Sequence, residues 1–305
     1  MGLALLFPGQ GSQFVGMGRD LADRFAEART VFEEADDVLG FALSQVMFEG
    51  PDDELTATRN AQPALLTHSV AVLRVLGDRL GPVQCTAGHS LGEFSAHVAA
   101  GTLSFADALG AVRRRGELMF EAGQVRPGTM AAILGLDDDV IEEVCGRVGA
   151  GVCVPANFNS QGQVVISGDL EGVREGMELA TEAGARRVVE LNVSGAFHSP
   201  LMEVAEAGLA EHLAGLTFSD PSAPVYANVH AGPVSSGDEA RSKLVEQLTA
   251  PVRWAASIGA MVEAGVDRFA EIGPGRVLAG LNRRNARGLP CLSIGTPEEL
   301  DALET

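Results

Sequence analysis

The chain has 305 residues, 46% hydrophobic and 21% charged, an ordinary globular composition that excludes disorder. With 41 acidic residues against 22 basic ones, its net charge of −19 argues against nucleic acid as a partner, because phosphate binding needs a basic surface. No apolar run reaches the ~18 residues needed to span a bilayer, so no membrane association is expected.

Leu3 to Phe7 reads as a buried strand, too short and lacking the preceding basic residues for a signal peptide. It runs into a Gly-rich loop, Pro8-Gly9-Gln10-Gly11-Ser12-Gln13. One helical pattern spans Arg19 to Leu39, and another follows Pro63, a favoured first-turn residue. Val83 to Gly88 is the second strand, leading through Ser90 into a helix over Leu91 to Ala100 that Gly101 terminates.

The middle of the chain is organised differently. Strand-like Met130 to Leu134 precedes a helix from Asp137 to Val148. Val152 to Phe158 and Gln163 to Ser167 form two strands joined by a polar turn, followed by a helix from Glu171 to Ala183 and a strand from Arg187 to Val193. This β-α-β-β-α-β order predicts a ferredoxin-like subdomain at 126–195, inserted into an α/β core made of 1–125 and 196–305. Strands at Val225 to Val229, Arg268 to Ile272 and Cys291 to Ile294, with a helix around Trp254 to Ala264, complete that core. Cys85, Cys145, Cys153 and Cys291 form no CxxC pair and have no zinc-ligand spacing. Free thiols in a reducing cytoplasm, and no metal site, are expected.

Gly88-His89-Ser90-Leu91-Gly92 matches the G-x-S-x-G elbow, which places a serine on a sharp strand-to-helix turn. The apolar strand before it and the helix after it are the required context; the bland alternative is an idle serine on a Gly-rich turn. In the functional reading, the Leu91 N–H faces a developing oxyanion. A serine needs a general base. Of the six histidines, His68 and His97 lie in helical patterns and His89 adjoins the serine, whereas His198 stands in a loop before a helix, where functional residues concentrate. Arg115 falls on the apolar stripe of the helix beginning at Phe105, seven residues after Ala108 and three after Val112. A guanidinium there needs an anionic partner, either an internal carboxylate or that of a substrate.

Phe7-Pro8-Gly9-Gln10-Gly11-Ser12-Gln13, Gln62-Pro63-Ala64, Gly88 to Glu93 and Arg115-Gly116 together resemble malonyl-CoA:acyl carrier protein transacylases. Asn157-Phe158-Asn159-Ser160, Gly195 to Ser199, Gln247 and Glu271-Ile272-Gly273-Pro274-Gly275 extend the match along the chain. The resemblance implies an α/β-hydrolase-like core with a ferredoxin-like insert, and malonyl transfer through a malonyl-serine. It implies Ser90 as nucleophile, His198 as base and Gln247 as the residue orienting the histidine through a carbonyl group. The oxyanion hole would be the N–H groups of Gln10 and Leu91. Arg115 would clamp the malonyl carboxylate, with Gln62, His89, Asn157 and Phe197 lining the substrate site. No cofactor beyond the thioester substrate is implied. The partners would be malonyl-CoA and an acyl carrier protein, the protein monomeric.

Since acyl carrier proteins are acidic, a local basic patch is expected on this acidic chain, and Arg186, Arg187, Arg283, Arg284 and Arg287 are the candidates. The alternatives are a discrete acyltransferase of polyketide synthesis, a serine hydrolase, which would need no carboxylate clamp, and an inert scaffold subunit.

Overall fold

The structure, a computed structural model, describes residues 2–303. Strand β1 (Gly2–Phe7) is buried throughout, and its side chains alternate between two cores. Leu3, Leu5 and Phe7 enter one hydrophobic cluster, Ala4 and Leu6 the other. Such two-sided burial is what helices on both faces of a parallel sheet require. Helices α1 (Arg19–Arg24), α2 (Ala26–Leu39), α3 (Leu43–Glu49), α4 (Asp52–Thr56) and α5 (Thr58–Leu76) contribute to the first cluster.

Two elements differ from the sequence expectation. The pattern from Arg19 to Leu39 is divided at Phe25, which is extended (φ −117°, ψ 122°). Arg29 seals the break by donating to the Ala22 and Asp23 carbonyls at 3.0 and 3.2 Å. Pro63 lies inside α5 rather than in its first turn. There it cannot donate to the Arg59 carbonyl. Nη1 of Arg113 takes that role, at 3.2 Å.

β2 (Val83–Gly88) pairs in parallel with β1 and is followed by α6 (Gly92–Ala99) and α7 (Phe105–Val125). The chain then builds a second sheet from β3 (Gly128–Leu134), α8 (Asp138–Arg147), β4 (Cys153–Ser160), β5 (Gln163–Asp169), α9 (Leu170–Glu182) and β6 (Arg187–Glu190). Its strand order is β4-β5-β3-β6, all antiparallel, which is the ferredoxin-like arrangement. On one face Ala131, Ile133, Val164 and Ile166 pack beneath the two helices. The other face, including Met130 and Val165, joins the core of the first sheet.

After a 3-10 turn at Pro200–Met202, the chain completes the first sheet. It does so through α10 (Glu203–Ala214), β7 (Val225–Tyr226), β8 (Pro233–Val234), α11 (Gly237–Glu246), α12 (Trp254–Glu263), β9 (Val266–Ile272), α13 (Val277–Asn285), β10 (Cys291–Ile294) and α14 (Pro297–Asp301). The strand order is β10-β9-β1-β2-β7-β8, and only β8 is antiparallel to its neighbour. The fold is thus α/β with a parallel sheet and a separate antiparallel one.

Main-chain bonds tie the sheets together: Phe158 N–H donates to the Val252 carbonyl at 2.9 Å, and Val252 N–H to the Ala156 carbonyl at 2.8 Å. All four cysteines are free, three of them buried. Among the described residues, no helix is long and apolar enough to cross a membrane, and no group of His, Cys, Asp and Glu could hold a metal ion.

Candidate active site

The site lies at the carboxyl end of β2, beside the central strand. Two glycines shape it. A Cβ on Gly88 would run into the backbone of Gly92, and one on Gly92 into the Phe7 carbonyl. With the turn packed this tightly, Ser90 takes a left-handed conformation (φ 53°), a strained choice for a residue with a side chain. Asn228 holds it there: its Oδ1 accepts from Ser90 N–H at 2.7 Å, and its Nδ2 donates to the Gly88 carbonyl at 2.7 Å.

His198 also has positive φ (57°). Its Nε2 lies 2.8 Å from Ser90 Oγ, and its Nδ1 lies 2.9 and 3.2 Å from the main-chain carbonyls of Gln247 and Ala250. Carbonyls only accept, so Nδ1 carries the hydrogen and Nε2 presents a lone pair to the serine. Burial, reinforced by the positive charge of Arg115, lowers the His198 pKa to about 3. The imidazole is therefore neutral near pH 7 and able to take a proton. No carboxylate is needed to set its tautomer.

Arg115 is buried beside the nucleophile. Nη2 donates to Ser90 Oγ at 3.1 Å and to Gln247 Oε1 at 3.0 Å, while Nη1 donates to Gln62 Oε1 at 2.7 Å. All these partners are neutral, and Nε–H has none among the described residues. Burial lowers the guanidinium pKa to about 10, and Glu93 partly offsets that, so Arg115 remains a cation at neutral pH.

Ser90, Arg115 and His198 line a cleft of about 320 Å³ together with Gln10, His89, Leu91, Asn157, Phe197, Met119, Met130 and residues 191–193. Gln62 stands behind Arg115 and is fully buried. Neither the Gln10 nor the Leu91 main-chain N–H donates to another described group. The loop of Gln10 is fixed through its side chain, which donates to Thr58 Oγ1 at 3.3 Å; that hydroxyl also lies 3.0 Å from Ser194 Oγ. His89 Nε2 meets Asn159 Oδ1 at 2.8 Å. A roomier hollow of about 570 Å³ between α13 and β10 contains no such nucleophile–base pair.

The five arginines considered for docking are all exposed but divide in two. Arg284 reaches Ser160 Oγ and Gln163 Oε1 at the β4–β5 turn, at 3.5 and 3.4 Å. Gln163 pairs with Leu134, which pairs with Arg187, so these three share the sheet face that carries Met130 into the cleft. Arg186 adjoins that row. Arg283 lines the hollow at β10 instead, and Arg287 follows the end of α13.

Two residues that shape the site carry no expectation from the sequence. Asn228 is a polar residue in the apolar run Val225 to Val229, and that contrast is its signal in the sequence. Glu93 was part of the matched motif without a role; it proves fully buried. Gln247 has two functions: its main-chain carbonyl orients His198, while its side chain connects Arg115 with Glu93.

The model of the acyl transferase domain family matches residues 4–296. A malonyl CoA-acyl carrier protein transacylase of Bacillus subtilis is 47% identical, over 99% of this chain and 96% of its own length. Its counterpart from Escherichia coli is 44% identical, over 98% and 97%. Among solved structures, an acyl-carrier-protein S-malonyltransferase from Bartonella henselae superposes with a TM-score of 0.96 at 45% identity, covering 100% of both chains. A malonyl-transacylase solved in complex with its type II polyketide acyl-carrier protein gives 0.95 at 42% identity, over 100% of this chain and 99% of that one.

Proposed function

Since the chain belongs to the acyl transferase domain family, we propose that it moves a malonyl group from malonyl-CoA to the phosphopantetheine thiol of an acyl carrier protein, supplying fatty-acid chain elongation. The observation that carries this reading is Arg115: a buried cation, bonded only to neutral groups, with Nη2 3.1 Å from Ser90 Oγ. A carboxylate two bonds beyond the reacting carbonyl matches such a cation. An internal ion pair, the alternative open at the level of sequence, is not what the guanidinium makes.

Ser90 Oγ attacks the thioester carbonyl while its proton passes to His198 Nε2. The oxyanion lies against the N–H groups of Gln10 and Leu91. As the carbon–sulfur bond breaks, the coenzyme A sulfur takes the proton from His198 and leaves as a thiol. The pantetheine thiol then gives its proton to His198 and attacks the malonyl ester, and Ser90 recovers the proton as its bond to the acyl carbon breaks. Every proton is accounted for by the serine, the histidine and the two thiols, so no cofactor or metal is assigned. Phe197 and Asn157 wall the acyl end, and Arg187 and Arg284, with Arg186 beside them, offer an acidic carrier protein a basic rim. A cytoplasmic location fits four free cysteines.

The test is kcat/KM for malonyl-CoA and acetyl-CoA with the parent and with Arg115→Ala. Acetyl leaves the buried guanidinium unpaired, so the parent should reject it. Arg115→Ala should lose malonyl transfer while acetyl transfer holds or rises. An unchanged ratio would sink the reading of Arg115 as a carboxylate clamp.

A further inference from the structure

The side-chain amide of Gln247 is held between two charged groups of opposite sign. On one side its Oε1 accepts from Arg115 Nη2 at 3.0 Å; on the other its Nε2 donates to Glu93 Oε2 at 2.7 Å and to the Ser90 carbonyl at 3.1 Å. An amide can rotate by half a turn and exchange oxygen for NH2 at little cost in shape. A guanidinium only donates and a carboxylate only accepts, so these neighbours permit one orientation. We propose that Glu93 is a positioning residue for substrate selection: by accepting from Gln247 it keeps the amide oxygen turned toward Arg115 and so keeps the guanidinium aimed at the acyl site.

Several features make this more than a buried ion-pair network. Glu93 has no direct bond to Arg115 and acts on it through one neutral side chain. The carboxylate is fully buried, and its second oxygen has no partner among the described residues. Its other bond, from Asn228 N–H at 2.9 Å, anchors it to the residue that holds the Ser90 backbone. Burial raises the Glu93 pKa to about 7 against the opposing pull of Asn228, Gln247 and Arg115. An oxygen acceptor remains at that position in either protonation state. The geometry needs an acceptor there, which a glutamine supplies and an alanine does not.

This inference rests on malonyl transfer with Arg115 as clamp, and the experiment separates the two. The malonyl-to-acetyl ratio of kcat/KM is measured for the parent, Glu93→Ala and Glu93→Gln, alongside the rate at which a fluorophosphonate, which has no carboxylate, labels Ser90. If the parent shows no preference for malonyl, the functional reading itself fails. Given a selective parent, Glu93→Ala should lower the ratio about ten-fold, mainly through the malonyl KM, the size of effect expected on losing a charge-assisted hydrogen bond. Labelling should be retained, and Glu93→Gln should restore selectivity. Overturning results are a Glu93→Ala protein as selective as the parent, a Glu93→Gln protein as unselective as Glu93→Ala, or a loss of labelling as large as the loss of malonyl transfer.

Discussion

In the parallel sheet the chemistry begins where the strands stop: Ser90 and His198 both sit at positive φ, in turns outside any strand. The antiparallel sheet supplies its share of the cleft, Met130 and Asn157, from inside strands, with Asn157 next to a register shift in β4. One region holds reacting atoms by backbone strain and close glycine contacts; the other provides a wall from side chains carried within hydrogen-bonded strands. Groups that must meet within hydrogen-bond distance are placed by over-determined turns, whereas a wall needs only the right face.

The sharpest way to break this comparison is at its reacting atom. Ser90→Ala should abolish transfer, because no acyl-enzyme can form; retained turnover, with malonyl found on another residue, would refute the assignment. Next in size is the turn. Gly88→Ala forces a Cβ into the Gly92 backbone and should cost stability by about 1–3 kcal/mol, as overpacking does, while slowing Ser90 labelling. Met130→Leu in the wall, which conserves volume, should cost less than about 1.5 kcal/mol and leave labelling intact. Denaturant melts and labelling rates check both, and equal effects would erase the distinction.

Acid should act on the parallel-sheet domain through its histidines. Burial lowers the pKa of His68 to about 4 and of His97 and His198 to about 3, from an ordinary 6.5. Below about pH 6.5 the unfolded chain binds protons that the native chain refuses, so stability present above that pH is lost as it falls toward 4, at about 1.4 kcal/mol per pH unit for each proton. Glu93 opposes this, since its raised pKa stabilises the fold at low pH and that contribution is lost as pH rises through 7. Burial also lowers the His89 pKa and raises that of Glu271, so four histidines outweigh two glutamates. Urea midpoints should therefore fall from about pH 6.5 to about pH 5, while the labelling rate of the still-folded protein shows no protonation step near 6.5. Smallest of all, Arg284→Glu should raise the carrier-protein KM by a few-fold at low salt and hardly at all at high salt, with malonyl-CoA unaffected. An unchanged KM at both salts would remove the basic rim from docking.

Much of this was legible in the sequence because the signals were local. Val83 to Gly88 reads as a strand from its run of residues, and its termination in Gly88-His89-Ser90-Leu91-Gly92 locates the turn. The β-α-β-β-α-β order followed from lengths and apolar runs alone. What escaped depends on side-chain contacts that no apolar pattern encodes. Pro63 reads as a helix start until Arg113, on α7, supplies the missing donor. Phe25 is an apolar residue in an apolar pattern, and the break there is visible only through the Arg29 side chain. Helix α11 (Gly237–Glu246) and helix α13 (Val277–Asn285) give little apolar periodicity because polar residues fill so much of each. The carbonyl that orients His198 was expected from Gln247, but no sequence pattern distinguishes a main-chain oxygen from a side-chain one.

The pairing of Ala156 and Phe158 with Val252 has a consequence for what the cleft can admit. Val252 lies two residues beyond Ala250, whose carbonyl shares the His198 Nδ1 hydrogen with that of Gln247. The jaw formed by β4 is thus riveted, through main-chain atoms, to the segment that aims the base. Side-chain rotation cannot loosen such a joint. Spreading the jaws for a bulkier acyl chain would first break peptide hydrogen bonds and then tug the imidazole off the serine. The spacing of the two sheets and the aim of the base thus form one mechanical unit.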